Sequence, residues 1–184
     1  MKYRSILMAI LVASAVVGCG RIAWREFSSE AGAFSVLMPG EPEQQTETVE
    51  TDLGRIELTM FITELDEETV FFVSYSDYPE QIVDRSEPYA ILENARDSTI
   101  RSQQGELVQS YRLTLSGHPG LEYLADTKIE GRGALIWARS YIEKNRLFQI
   151  MAMALKRGEG PAGSHEEMDR FLRSFRFSSR SAAK

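Results

Sequence analysis

Ala134-Leu135-Ile136-Trp137-Ala138-Arg139-Ser140-Tyr141-Ile142 and, after Glu143-Lys144-Asn145-Arg146, Leu147-Phe148-Gln149-Ile150-Met151-Ala152-Met153-Ala154-Leu155 decide the fold. Read as strands, both segments are apolar on both sides. In the first, Leu135, Trp137 and Tyr141 oppose Ala134, Ile136 and Ala138; in the second, Phe148, Ile150 and Ala152 oppose Leu147, Met151 and Met153. A strand that is greasy on both faces belongs in the middle of a sheet that is covered above and below. The polar tetrapeptide between them predicts a hairpin, so the sheet is antiparallel at its centre.

Outward from this pair the punctuation stays that of a sheet. On the N-terminal side, Leu107 to Leu115 alternates, Ser116-Gly117-His118-Pro119-Gly120 reads as a tight turn, and Leu121, Tyr123, Ala125 and Thr127 open another strand. Earlier, Phe34 to Met38 is a short strand stopped by Pro39-Gly40. Thr46 to Val49 permits a weak edge strand. Arg55 to Leu65 carries Ile56, Leu58, Met60 and Ile62 on even steps, with Phe61 breaking the pattern, and Asp66-Glu67-Glu68 turns into Thr69 to Tyr78. The even-step set predicts one buried face. A helix is expected between Ser86, as N-cap, and Gly105, with Leu92, Ala95 and Thr99 inward and Arg96, Asp97 and Arg101 in solvent. A second helix follows Ser164, which forms a capping box with Glu167 and precedes a stripe of Met168, Phe171, Leu172 and Phe175. The order is four strands, helix, four strands, helix. It predicts an α+β fold, a mostly antiparallel sheet covered by helices.

The N-terminus carries a different message. Lys2 and Arg4 precede an uncharged apolar run from Ile6 to Val17, which ends in Val16-Val17-Gly18-Cys19. The run is short of the roughly 20 residues a spanning helix needs. Its order matches a signal segment with a small residue at the cleavage point, and Cys19 is the chain's sole cysteine. This resembles a bacterial lipoprotein signal, with cleavage after Gly18. The resemblance implies diacylglycerol on the Cys19 sulfur and a further acyl chain such as palmitate on the new amine. Two or more chains hold a protein to a bilayer durably, at about 0.8 kcal/mol per buried methylene. The expected organisation is a lipoprotein signal peptide over 1–18, a tether over 19–29, one globular domain over 30–178, and a polar tail over 179–184. The expected location is the cell membrane or outer membrane, lipid-anchored on its exocytoplasmic or periplasmic face.

Composition narrows the partners. The formal net charge is −6, and losing Lys2 and Arg4 with the signal makes it more negative. A nucleic-acid partner is not expected, because no cationic excess exists to displace phosphate counterions. With its one thiol assigned to lipid, the chain has no internal disulfide, and its stability must come from an apolar core.

No catalytic residues, metal ligands or cofactor site are expected. His118 and His165 sit far apart in sequence with no His pair at helical spacing. His118 beside Glu122 and Asp126 offers at most a weak metal contact and reads better as a turn histidine. Gly163-Ser164-His165 is explained by helix capping, and no Gly-x-Ser-x-Gly is present. Met60, Met151, Met153 and Met168 read as core filler or, alternatively, as the lining of an apolar pocket.

Four features carry a family resemblance: Phe34-Ser35-Val36 through Met38-Pro39, the strand end Tyr75-Ser76-Asp77-Tyr78-Pro79, the turn Gly117-His118-Pro119-Gly120, and the closing Phe171-Leu172-Arg173-Ser174-Phe175. Together with the element order they resemble the PsbP-like superfamily, whose founding members are extrinsic photosystem II proteins and whose relatives include small bacterial lipoproteins. The resemblance implies an α/β/α sandwich and carries no activity with it. After the opening proline the chain reads Gly40-Glu41-Pro42-Glu43, unlike photosystem members. The expected function is that of a non-enzymatic binding or assembly module for an envelope or membrane protein. The alternatives are a lipoprotein binding a small apolar ligand between sheet and helix and, less favoured, a hydrolase.

Overall fold

The computed structural model describes residues 23–51, 54–158, 160–161 and 165–178. Cys19 and Gly18 lie outside the described residues, as do the expected N-cap Ser164 and the tail. The elements run β1 (Trp24–Ser29), β2 (Phe34–Pro39), β3 (Glu43–Thr51), β4 (Gly54–Asp66), β5 (Thr69–Asp77), α1 (Glu80–Val83), α2 (Pro88–Ser102), β6 (Glu106–Leu115), β7 (His118–Ile129), β8 (Arg132–Glu143), β9 (Arg146–Arg157), β10 (Gly160–Pro161), α3 (His165–Ser174) and β11 (Arg176–Phe177). One large sheet has the order β3-β4-β5-β9-β8-β7-β6, with β10 folded back to pair with the end of β9, and a small sheet has the order β1-β2-β11. Every pairing is antiparallel.

The twin apolar segments are β8 and β9, paired from Ala134↔Leu155 to Glu143↔Arg146 near the middle of the large sheet. Both faces of each are buried, as their composition requires: Ile136 and Ala138 on one side and Tyr141 on the other, Met151 on one side and Phe148 and Ile150 on the other. The hairpins close tightly. Ser116 and Gly117 both take positive φ, 52° and 83°, and link β6 directly to β7. That is the primed turn which matches strand twist, and glycine removes the steric cost at its second position. The turn therefore needs only two residues, and the expected turn residues His118, Pro119 and Gly120 already belong to β7. Gly120 meets a different demand. A Cβ there would lie 2.5 Å from the Tyr141 ring.

The layering is only in part the expected one. On one face α2 lies across β7 and β8 and reaches β6. On the other, the cover is the small sheet together with α3, not helix alone. A helix is about 10 Å wide, and strands lie about 4.8 Å apart. One helix thus shields roughly two strands of a seven-strand width. β1 and β2 supply most of the extra cover, with Phe34, Val36 and Met38 buried against Phe61, Phe71, Phe148, Phe171 and Phe175. Trp24–Ser29, expected as the end of the tether, pairs along its whole length with β2.

Three local readings change. In β4 the buried residues on the small-sheet side are Thr59, Phe61 and Thr63, while Leu58, Met60 and Ile62 are half-buried on the α2 side. Phe61, which broke the alternation, is the residue that reaches the aromatic core. The N-cap of α2 is Glu87 without a side-chain cap bond, not Ser86, with Pro88 in the first turn. Arg96 is not a solvent residue: it donates to Ser110 Oγ at 3.1 Å and to Asp97 at 2.8 Å, which fixes α2 on β6.

One buried cation ties the layers together. Arg146, at the first position of β9, donates to both Asp77 carboxylate oxygens at 2.6 Å and to the Ala31 and Gly32 carbonyls at 2.6 and 3.2 Å. Its guanidinium lies 4.4 Å from the Tyr75 ring centroid. The hydrogen bonds it donates to Asp77 hold the Arg146 pKa above its ordinary value. The clamp joins the β1–β2 loop to the large sheet.

Candidate functional site: a cleft beside helix α2 and an open sheet edge

The narrow reach of α2 leaves a cleft between its flank and the β3-β4-β5 side of the sheet. Its volume is about 710 Å³, within the range typical of small-molecule sites. Ile56 and Leu58 of β4, Val49 of β3 and Leu147 of β9 give an apolar wall, to which Tyr78, Ile82 and Ile91 add. Val49 faces Ile56 directly across the β3–β4 ladder. The opposite wall is polar. Asn94, Ser98, Arg101 and Ser102 project from α2, and Thr99 with Gln149 forms the boundary, joined by a 3.1 Å bond from Gln149 Nε2 to Thr99 Oγ1. Under α2, Tyr123 is buried, which pushes its pKa up to about 12; its hydroxyl lies 3.8 Å from the Met151 sulfur.

The four methionines do not line this cleft. Met151 and Met153 belong to a cluster beneath α2 with Ile136 and Tyr123. Met60 is half-buried on the same face, and Met168 is in the aromatic core across the sheet. The cleft was missed in sequence because its lining comes from β3, β4, β5, β9 and α2 together. The even-step residues Ile56 and Leu58 were its only local trace.

The two outer strands of the large sheet contrast sharply. β3 carries Glu43 and Glu47 along its length. β6, Glu106-Leu107-Val108-Gln109-Ser110-Tyr111-Arg112-Leu113-Thr114-Leu115, pairs with β7 and with no other strand among the described residues. Leu107, Val108 and Tyr111 are 44, 55 and 57% exposed. Outer strands ordinarily carry charges or prolines that discourage further pairing. β3 has its acids; β6 has Glu106, Arg112 and a bulge between Leu107 and Gln109, yet it still leaves Leu107, Val108 and Tyr111 exposed.

The histidines are not brought together into one site. His118 packs on Phe177 at 4.8 Å and approaches Glu143 at 3.8 Å. His165 packs on Trp137 at 5.5 Å. Glu122 lies four residues along β7 from His118, about 13 Å at strand rise, and is held by Arg139 at 2.6 Å. Asp126, farther along, pairs with Lys156. Among the described residues no three His, Cys, Asp or Glu side chains converge as a metal site, and no helix is long and apolar enough to cross a membrane.

No protein-family model matches the chain, and no curated protein matches it. Solved structures do. The solution structure of cyanobacterial PsbP (CyanoP) from Synechocystis sp. PCC 6803 is similar with a TM-score of 0.55 at 11% identity, over 91% of this chain and 98% of that one. The likeness shows a PsbP-like fold. Immunity protein TplEi of the T6SS from Pseudomonas aeruginosa, complexed with "L" peptide, gives 0.41 at 14% identity over 67% of this chain and 48% of that one. A protein of unknown function from the same organism, a putative regulator, gives 0.39 at 14% over 59% and 82%. Scores at that level add nothing to the fold assignment.

Proposed function

We propose that this chain is a lipid-anchored exocytoplasmic binding module that holds an extended segment of an envelope or membrane protein along β6. The observation that carries this reading is the ten-residue outer strand with an open backbone edge and three exposed apolar side chains. Strand addition satisfies unpaired N–H and C=O groups, and alternate side-chain contacts give specificity. The Cys19 lipid would keep β6 near the membrane, where such partners lie. Binding rather than catalysis is favoured because His118 and His165 pack on different aromatic rings.

A photo-reactive residue at Val108 of the full chain, in its own envelope, is expected to give a discrete adduct that Leu107→Lys weakens. The same probe at Thr46 on β3 is expected to give none. Equal adducts at both edges, or none at either, would remove the edge reading. The anchor has a separate test: Cys19→Ser is expected to move the protein from the membrane pellet to the soluble fraction.

A second reading, a small apolar ligand held between sheet and helix, is favoured by the cleft of about 710 Å³ with its apolar wall. It is compatible with the first, since the cleft and β6 lie on opposite sides of α2.

A further inference from the structure

We propose that the cleft binds a single anionic amphiphile, with its alkyl body against β3 and β4 and its carboxylate or phosphate head at Arg101 of α2. This rests on the reading of the cleft as a ligand site and adds the chemical class of the ligand.

The argument is one of charge. The chain has 27 acidic against 21 basic residues, yet among the described residues no acidic side chain lines the cleft and Arg101 is the one charged residue that does. Neighbouring arginines are already neutralised: Arg96 meets Asp97, and Arg112 meets Glu93, both at 2.8 Å. Arg101 instead donates to the Ser98 hydroxyl at 3.0 Å and, among the described residues, meets no carboxylate. That contact points the guanidinium back along the helix, away from the C-terminal carbonyls of α2, whose dipole opposes an anion. Asn94, Ser98 and Ser102 add donors on the same wall. Guanidinium with flanking donors suits carboxylate and phosphate oxygens equally. Opposite this wall Ile56, Leu58 and Val49 offer only hydrocarbon, which suits an alkyl chain and gives a fully polar ligand nothing to bond.

The test is equilibrium dialysis of radiolabelled octanoate, octyl phosphate, 1-octanol and octylamine against the full chain in lipid nanodiscs, with empty nanodiscs as blank. The two anions are expected to bind about tenfold more tightly than octanol, the scale of one charge-assisted hydrogen-bonded pair. Arg101→Gln is expected to abolish that preference and Arg101→Lys to keep most of it. Leu58→Asn is expected to weaken all probes alike. Urea midpoints within the wild-type range show that the variants are folded. Equal binding of octanol and octanoate, unchanged by Arg101→Gln, would overturn the anionic head while leaving a ligand cleft. A preference for octylamine would overturn it as well. Absence of binding by every probe would overturn the cleft reading itself.

Discussion

On the small-sheet side of the large sheet, Phe34 sits within 6.2 Å, centroid to centroid, of Phe27, Phe61, Phe148 and Phe175. On the α2 side, Ile56 and Leu58 border a cleft and Met60 and Ile62 are half-buried. The same strands, β4 and β5, contribute to both. What differs is the width of the cover. A three-stranded sheet with a helix fills one side with interlocking rings, each favourable ring contact adding about 0.5–1.5 kcal/mol beyond area burial. A single helix covers the β6 to β9 part of the other and leaves β3 and β4 beside a cleft. Stability is concentrated on the first face, and the second retains an open cleft.

The most severe way to break this contrast is Phe34→Ala. It removes the ring shared by five aromatic contacts and should cost about 3–5 kcal/mol in urea unfolding. A loss below 1 kcal/mol would mean that the aromatic face is not the stabilising one. Next is alkaline pH. Tyr123 is neutral when folded up to about 12 but ionises near 10 when unfolded, so the folded state holds its proton more tightly. Stability is intact below pH 10 and falls as pH rises from 10 to 12, by about 2–3 kcal/mol from this group. Tyr123→Phe should flatten that slope by nearly one proton, and an unchanged slope would show that α2 does not seal the residue. Arg146→Lys comes third. It keeps the charge and loses the two-pronged contact with Asp77, for about 1–2 kcal/mol, measured by the shift in urea midpoint. The smallest effect belongs to the cleft: Leu58→Ala should cost under about 1 kcal/mol, because a half-buried side chain leaves little cavity behind. A cost matching that of Phe34→Ala would erase the distinction between the faces.

The sequence made the densely packed half of the molecule legible and the open half not. β8 and β9 were readable because two-sided apolarity has one meaning inside a sheet. The α3 stripe of Met168, Phe171 and Leu172 was readable because all three reach one core. β4 was read in the wrong phase. Four aliphatic residues outnumbered Phe61 in the pattern, yet the lone aromatic faces the fully covered side. β3 was expected as a weak edge and runs from Glu43 to Thr51, because its pairing with β4 supplies backbone bonds that its polar side chains do not advertise. Arg146 read as a turn residue, since its partners, Asp77, Ala31 and Gly32, are distant in sequence. Arg101 read as one solvated charge among several. Only the lie of α2 separates it from Arg96.

Trp24 opens the first strand and rests on Phe71 at 5.4 Å, with Arg170 5.1 Å above its indole. Were the chain held through Cys19, as proposed, a pull on that tether would reach the described strands first at this ring. Peeling would start at the Trp24↔Pro39 pair and advance along the β1–β2 ladder toward the loop gripped by Arg146. The indole would then serve as a bolt against mechanical load and Arg146 as the second catch behind it.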